Sequence, residues 1–250
     1  MDRLLPFVMA GDPAVDSLPE LLRVAKAAGI STIEVGIPHS DPIADGPALQ
    51  SAAQRAIERG VTAESVLQQL ATITDSPDVV LFTYLNPLLQ IGAERLIALL
   101  KKTPVRSLLI VDLPFGEEPQ FEAALRDAGY PIVPLLSPTT SIERAKQLLA
   151  ERTDPGPSSP FAQRFAYVVA RLGITGEGTH DFAPIAARVA ALHTVTDRPL
   201  AVGFGLSEPQ ALASIRAMGA TPVVGTALVQ VLADGIPAHA ALAKFTEGVS

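Results

Sequence analysis

The chain is 250 residues long and 48% of its residues are hydrophobic, which is enough apolar material for one large core. Its formal net charge of −7 argues against a surface that binds nucleic acid or anionic membranes, because such surfaces need clustered basic residues. The sequence has no cysteine, which excludes disulfides, thiolate metal sites and thiol nucleophiles and is typical of a reducing compartment.

The first apolar segment runs from Leu4 to Ala10 and is followed by Gly11-Asp12-Pro13. It is too short to cross a membrane, and no small-residue cleavage site follows it. We therefore interpret it as a buried strand and expect a cytoplasmic protein.

Eight short apolar runs recur along the chain, each followed by a turn and a stretch with helical spacing. Because they are apolar on both faces, they are typical of buried parallel strands. The predicted strands are Leu5–Met9, Thr32–Val35, Val79–Thr83, Leu108–Val111, Ile132–Leu136, Ala166–Ala170, Leu200–Phe204 and Pro222–Val224. The predicted helices are Val15–Ala28, Ala63–Ile73, Ala93–Leu100, Gln120–Ala128, Ser141–Glu151, Ala183–Ala191, Pro209–Met218 and Ala238–Phe245.

Eight strand–helix units in a chain of this length predict an α/β fold, a closed (β/α)8 TIM barrel in which residues 1–250 form a single domain. A doubly wound open sheet is the alternative, but it normally carries a Gly-x-Gly-x-x-Gly turn after its first strand. The nearest match, Gly203-Phe204-Gly205, lies towards the other end of the chain. The Pro- and Ser-rich stretch from Thr153 to Pro160 joins a helix to a strand, so we expect it at the N-terminal face without a functional role.

The segment from Glu34 to Pro47 begins in a predicted strand and continues as a long loop that carries three carboxylates. If Ile33 and Val35 face the helices, strand alternation points Glu34 into the barrel mouth. Burial there favours the protonated carboxyl group, which can then act as a general acid. The alternative is a buried glutamate paired with a basic residue, and Arg171 is the one basic residue at a predicted strand end.

Asp45 shares this loop with Glu34, so two carboxylates can converge from one strand end. Asp41 and Asp45 each precede a proline or glycine, and both also fit ordinary turn chemistry. The pairing of Asp45 with Glu34 is therefore the specific signal for a catalytic site.

Other residues of the predicted active face lie after the sixth to eighth strands. Glycines and helix starts at Gly203 to Glu208 and at Gly225-Thr226-Ala227 favour a phosphate site, although glycines also serve ordinary turns. The Gly- and Thr-rich segment from Arg171 to His180 indicates either a lid or a flexible surface loop. Tyr167 either offers a phenol to the cavity or belongs to the core. The four histidines lack metal-ligand spacing, so no metal site is predicted.

Taken together, the motifs resemble the tryptophan synthase alpha subunit family along essentially the whole chain. The segments that carry the resemblance are Pro6 to Pro13, Glu34 to Pro47, Tyr84 to Pro87, Asp112 to Pro114, Ser137 to Thr140, Gly173 to Gly176, Gly203 to Gly205 and Gly225-Thr226. The resemblance implies a retro-aldol cleavage of indole-3-glycerol phosphate to indole and glyceraldehyde 3-phosphate, in tryptophan biosynthesis and without a cofactor in this chain.

The resemblance also assigns roles to individual residues. It makes Glu34 the general acid/base, Asp45 the carboxylate that faces the indole N–H, and Tyr167 an accessory phenol. The residues assigned to the substrate are Gly176, Phe204, Gly205, Gly225 and Thr226 for the phosphate, Phe7, Leu109 and Leu136 for the indole ring, and Thr175 for the lid.

The partner implied by the resemblance is a beta subunit that carries pyridoxal phosphate, in an assembly of two alpha and two beta chains. Indole passes to it through a tunnel, and the loop with Pro38 and Asp41 faces it. The chain departs from the family pattern at His39, where phenylalanine is usual, and at Thr226, where serine is usual. It also starts almost at its first strand, without the helix that usually closes the lower end of the barrel, so stability or solubility is expected to differ.

Three other functions stay open at this point. The chain could be a lyase that works without a partner, or a feebly active module that binds ligand and activates the beta subunit. A phosphosugar isomerase on the same barrel is a third alternative, because a fold does not fix a function.

Overall fold

The computed structural model describes residues 4–151, 159–169, 173–174, 180–203 and 208–246. The strands in these ranges are β1 (Leu5–Met9), β2 (Thr32–Gly36), β3 (Asp78–Thr83), β4 (Val105–Ile110), β5 (Leu135–Leu136), β6 (Ala166–Val169), β7 (Gly173–Ile174), β8 (His180–Asp181), β9 (Leu200–Gly203) and β10 (Thr221–Val224). The helices are α1 (Ser17–Ala27), α2 (Pro47–Glu58), α3 (Ala63–Leu70), α4 (Leu85–Ile91), α5 (Ala93–Leu100), α6 (Pro119–Asp127), α7 (Ile142–Glu151), α8 (Phe161–Arg164), α9 (Ala183–His193), α10 (Pro209–Ala217), α11 (Thr226–Ala233) and α12 (Ala238–Thr246). Within the described ranges, we find no helix with the length and apolar character that crossing a bilayer requires.

Eight of the strands form one parallel sheet in the order β4-β3-β2-β1-β10-β9-β6-β5, while β7 and β8 form a separate antiparallel pair. The two ends of the sheet meet beside β4. The Leu108 N–H donates to the carbonyl of Pro131 at 3.1 Å, and the Val133 N–H donates to the carbonyl of Leu108 at 2.8 Å. The predicted (β/α)8 barrel is therefore confirmed, and the open-sheet alternative is wrong.

Strand alternation decides which side chains face the barrel interior. In β2, Ile33 and Val35 belong to the apolar cluster between the strands and the surrounding helices. Glu34 lies between them and therefore faces the interior. In β6, the two neighbours of Tyr167 pack in the cluster with α7 and α9, whereas Tyr167 packs with interior residues of other strands.

The fourth strand starts earlier than the sequence predicts, at Val105 rather than at Leu108. Its first three residues include the polar Arg106 and Ser107, so the apolar pattern does not show where the strand begins. Arg106 is exposed and forms an ion pair of 2.8 Å with Asp78 at the end of the barrel, and Ser107 is buried in the interior.

The fifth strand is shorter than predicted and consists of Leu135–Leu136 alone. Pro131 and Pro134 lie just before it and have no N–H to donate, which limits regular strand pairing. Ile132 contributes only an isolated bridge to Leu108.

Four of the helices, α2, α4, α8 and α11, are not among the helices predicted above, although a helix start is expected at Gly225-Thr226-Ala227 where α11 begins. Helix α2 begins at Pro47, inside the segment that we expected to be a long loop. A proline at the first helical position needs no N–H partner and has a suitable fixed φ, so Gly46-Pro47 marks a helix start as well as a turn.

Helix α8 closes the N-terminal end of the barrel interior. The Ser107 hydroxyl, near the start of β4, donates to the carbonyl of Ala162. Phe161 and Phe165 stack with ring centroids 4.9 Å apart and pack against interior residues such as Leu5. Residues 152–158 of the Pro- and Ser-rich stretch lie outside the described residues, but the chain that follows them contributes directly to the core.

Candidate active site

A cavity of about 310 Å³ opens among the carboxyl ends of the barrel strands, and we call it the active-site cavity. Its walls come mostly from apolar side chains of β1, β3, β5, β6 and β10, and its polar groups are few. The lining residues include Glu34, Asp45, Tyr167 and Thr226. An apolar cleft with a few convergent polar groups is typical of a small-molecule site.

Glu34 is the most deeply buried carboxylate of the cavity, at 1% exposure. In the strand register it lies between Phe7 of β1 and Val80 of β3, and its Oε1 has no hydrogen-bond partner among the described residues. No ion pair of Glu34 is found within the described part of the chain, which does not include Arg171. Burial raises the pKa of Glu34 from 4.5 to about 8, so the carboxyl group carries a proton at neutral pH.

Asp45 lies on the loop between β2 and α2 and is half-buried at the edge of the same cavity. Its N–H donates to the carbonyl of Pro42 at 3.0 Å, and the Gln50 side-chain amide donates to its carbonyl at 2.8 Å. Burial raises the pKa of Asp45 from 3.8 to about 6, and the nearby Tyr84 hydroxyl opposes this rise. Asp45 is therefore mostly ionised at neutral pH, whereas Glu34 is mostly protonated.

The helix that follows Asp45 is anchored by an ion pair to a buried carboxylate. The carboxylate of Asp12, which is 3% exposed, accepts two hydrogen bonds from Arg55 of α2, at 2.8 and 2.7 Å. Arg59 adds a contact of 3.4 Å to the same carboxylate. Planar two-point pairing of this kind fixes orientation as well as distance, so α2 holds a defined position against the loop after β1.

Tyr167 projects from β6 into the cavity beside both carboxylates. Burial, and then the nearby charges of Glu34 and Asp45, raise the pKa of Tyr167 well above its usual value of 10, so the phenol keeps its proton and can donate it in a hydrogen bond. A Cβ atom at Gly203 of β9 would lie only 2.0 Å from the Tyr167 hydroxyl oxygen. The absence of a side chain at Gly203 therefore makes the space that the phenol occupies.

Gly203→Ala is expected to displace the Tyr167 ring, because the added methyl group also lies 2.7 Å from the ring carbon Cζ. Overpacking of a tight interior typically costs about 1–3 kcal/mol. Thermal unfolding of Gly203→Ala, Tyr167→Phe and the double variant measures this cost. We expect the double variant to recover part of the stability that Gly203→Ala loses. If Gly203→Ala costs the same stability with Tyr167 and with Tyr167→Phe, the proposed contact between the methyl group and the hydroxyl is contradicted.

The apolar wall expected for an aromatic ring is present, but some of the residues that form it differ from those predicted. Phe7 lines the cavity and meets Phe82 edge to face, with centroids 5.1 Å apart and planes at 80°. Gly36 makes room for Phe7, since a Cβ there would lie 2.5 Å from the Phe7 Cζ.

Leu109 and Leu136, which the sequence assigns to the indole ring, are not among the residues that line the cavity. Leu109 faces the interior, but Val111, the next inward position on the chain after β4, lines the cavity above it. Leu136 is buried in the cluster with the helices, and its neighbour Leu135 lines the cavity instead.

The predicted phosphate-binding residues are only partly within the described chain. Gly225 and Thr226 line the cavity and form the start of α11, where free backbone N–H groups favour an anion. The predicted residues Thr175, Gly176, Phe204 and Gly205 lie outside the described residues. In the part of the chain that is described, no cluster of His, Cys, Asp or Glu residues has a geometry that could hold a metal ion.

Tyr84 is a residue of the site that the sequence analysis did not assign. It directly follows β3 and is 2% exposed, and its hydroxyl contacts the Asp45 loop. Its place at a strand end on the side of the barrel that carries the cavity is the signal that could have found it.

Comparison with known proteins agrees with this architecture. The family model described as tryptophan synthase alpha chain matches residues 1–247. The tryptophan synthase alpha chain of Synechocystis is 37% identical over 237 residues, or 94% of this chain and 86% of the relative. The solved tryptophan synthase A-subunit of Pyrococcus furiosus is 31% identical with a TM-score of 0.84, over 99% of this chain and 98% of that chain. A structure on mutual activation of the tryptophan synthase a2b2 complex from the same organism is 30% identical with a TM-score of 0.81, over 99% and 97% of the two chains. This chain therefore belongs to the tryptophan synthase alpha chain family.

Proposed function

We propose that this chain is an indole-3-glycerol-phosphate lyase that produces indole and glyceraldehyde 3-phosphate in tryptophan biosynthesis. The observation that carries the proposal is the pair of carboxyl groups at one apolar cavity, with Glu34 protonated and Asp45 ionised at neutral pH. Membership in the family supports the same reaction and removes the support for a phosphosugar isomerase.

The two carboxyl groups divide the chemistry of the cleavage. Glu34 donates its proton to the indole C3, which places a positive charge on the ring nitrogen, and the Asp45 carboxylate stabilises that charge through the indole N–H. The Glu34 carboxylate then takes the proton from the side-chain hydroxyl next to the bond that breaks. The electrons of the broken carbon–carbon bond return to the ring, so that indole and an aldehyde leave and Glu34 regains its proton.

The remaining roles follow from where side chains lie around the cavity. We assign the indole ring to the wall of Phe7, Val111 and Leu135, and the phosphate to the start of α11 at Gly225 and Thr226. Tyr167 is assigned as an accessory hydrogen-bond donor. Assignment of the phosphate to Gly176, Phe204 and Gly205, and of the lid to Thr175, remains a proposal from the family resemblance.

We propose that the chain needs no cofactor of its own, because proton transfer and charge stabilisation by carboxyl groups suffice for a retro-aldol cleavage. The proposed partner is the tryptophan synthase beta subunit, which would carry pyridoxal phosphate, with two chains of each kind. The similar Pyrococcus furiosus structure of an a2b2 complex supports this assembly. We further propose that residues 1–250 act as one barrel domain, as the family match over residues 1–247 suggests, and that the protein is cytoplasmic.

The function is tested by incubating the purified chain with indole-3-glycerol phosphate and measuring indole, with and without a family beta subunit. We expect indole from the chain alone and faster formation with the beta subunit. No indole under either condition rejects the lyase. A rate that the beta subunit fails to raise favours the stand-alone lyase, whereas activation of the beta subunit without indole formation favours the binding module.

A further inference from the structure

Tyr84 lies between the active-site cavity and a second, more open depression of about 650 Å³, which we call the outer groove. The outer groove is lined by Pro38, His39 and Ser40 after β2 and by residues of α2 to α5. Tyr84 itself lines neither space and is almost fully buried. It is therefore placed to act on the cavity through another residue rather than on a substrate.

The hydroxyl group of Tyr84 holds the loop that carries Asp45. It accepts a hydrogen bond from the Ala44 N–H at 3.0 Å, and it lies close enough to the Asp45 carboxylate to stabilise the negative charge there. The other hydrogen bonds of Asp45 described above run within the loop or to α2. The Tyr84 hydroxyl thus connects this loop to the wall of the barrel.

The backbone on both sides of Tyr84 is also fixed. The Thr83 hydroxyl donates to the carbonyl of Tyr84 at 3.0 Å, and the Leu85 N–H donates to the carboxylate of Asp112 at 2.7 Å. Asp112 follows β4, so the neighbouring strand end holds the start of α4. A phenol on such a fixed support can define the position of a group that it binds.

The imidazole ring of His39 stacks on the phenol ring, with centroids 4.7 Å apart and planes at 27°. Because His39 lines the outer groove, the ring stack joins the groove to the hydroxyl that contacts Asp45. Stacked aromatic rings attract each other beyond the effect of their buried area, so the His39 ring restricts the position of the Tyr84 ring.

We propose that Tyr84 is a positioning residue for the Asp45 carboxylate and that His39 supports Tyr84 from the side of the outer groove. This proposal rests on the proposed lyase function, in which Asp45 stabilises the charged indole. In this proposal Tyr84 acts without touching the substrate. The stack of His39 on Tyr84 connects the surface of the outer groove with the active-site cavity.

The nearby Tyr84 hydroxyl also favours the ionised form of Asp45, so its removal shifts the pKa of Asp45 upwards. Among the described residues, the other titratable groups around Asp45 are Glu34 and Tyr167 in the cavity, Asp112 behind Tyr84, and His39 and Asp41 on the same loop. None of these groups is altered by Tyr84→Phe. A shift of the acid limb of the pH–rate profile therefore reports the lost hydroxyl contact, which a purely structural role does not predict.

The test compares Tyr84→Phe with the wild type and with Tyr130→Phe, the same change at a tyrosine outside the cavity. We expect Tyr84→Phe to lower kcat for indole formation about 10- to 100-fold, the size expected for misplacement of a catalytic group. The KM for indole-3-glycerol phosphate should change less than about twofold if the substrate contacts are intact. The acid limb should move to higher pH, and Tyr130→Phe should match the wild type.

The role of His39 is measured in a double-mutant cycle with Tyr84→Phe. His39→Ala should lower kcat when Tyr84 is present and have little further effect beside Tyr84→Phe, and His39→Phe should retain more activity than His39→Ala. If the wild type is active and Tyr84→Phe has the same kcat and the same pH–rate profile, the positioning role is overturned. Equal effects of His39→Ala in both backgrounds overturn the role of the stack. A wild type that forms no indole instead overturns the lyase function and this proposal with it.

Discussion

Glu34→Gln is expected to lower kcat for indole formation by about 10²–10⁴-fold, the usual contribution of a positioned general acid or base. Glutamine has nearly the same shape, but its amide cannot deliver a proton to the indole C3. Glu34 is buried and its Oε1 has no hydrogen-bond partner in the described part of the chain, so the change breaks no hydrogen bond there at that atom. The variant should therefore fold and still bind 3-indolylpropyl phosphate, an analogue with the ring and phosphate but without hydroxyl groups.

Glu122→Gln is the matched control, since Glu122 of α6 is also a buried glutamate but accepts a hydrogen bond from the N–H of Gly116 in the preceding loop. Steady-state kinetics and calorimetric binding of the analogue should separate the two variants. Retention of wild-type kcat by Glu34→Gln contradicts the assignment of Glu34 as the proton donor. Loss of analogue binding would show that the substitution damages the cavity instead.

The same substitution changes how stability depends on pH. The pKa of Glu34 is about 8 in the folded chain against an ordinary value of 4.5, so the folded state holds an extra proton between these values. Glu34 therefore contributes a fall in the free energy of unfolding of the wild type as the pH rises from about 4.5 to about 8. Glu34→Gln should lack this fall, and chemical denaturation across this pH range measures the difference.

Strand alternation explains why the central part of the site can be predicted from sequence. Ile33 and Val35 are apolar positions that pack under helices, and this fixes the inward direction of Glu34 without any knowledge of the tertiary structure. Tyr167 follows the same rule in β6. In a regular strand with clear apolar neighbours, the direction of a side chain can therefore be predicted from the sequence.

Strand alternation does not identify the lining residues where a strand is short, or where the position of a residue along the barrel axis decides whether it reaches the cavity. β5 has only two residues next to Pro134, so its sequence does not define which of Leu135 and Leu136 faces inwards. For Leu109 the inward direction is correct, but the sequence does not give its depth along the barrel, and Val111 lies nearer the mouth.

Contacts between distant loops could not be predicted at all. Tyr84 and the loop of Asp45 are brought together by the pairing of β2 with β3, and no local pattern records the hydrogen bond from the Ala44 N–H to the Tyr84 hydroxyl. The start of α2 could not be predicted because Gly46-Pro47 is compatible both with a turn and with a helix start. In both cases the tertiary structure selects between local conformations that the sequence permits.

Asp45→Asn is the second substitution with a large expected effect. Asparagine keeps the size of the side chain but cannot offer a negative charge to the indole nitrogen in the charged intermediate. Removal of one preorganised electrostatic partner typically costs about 10²–10³-fold in kcat. Asp127→Asn, an exposed change at the end of α6, is the control and should behave as the wild type.

The pH–rate profile separates this role from a simple loss of structure. The wild type should show a bell-shaped profile, because activity needs an ionised Asp45, with a pKa of about 6, and a protonated Glu34, with a pKa of about 8. Activity therefore falls below about pH 6 and above about pH 8. In Asp45→Asn the acid limb should disappear while the basic limb remains, since Glu34 is unchanged. An acid limb that persists in this variant assigns that titration to another group and removes Asp45 from the mechanism.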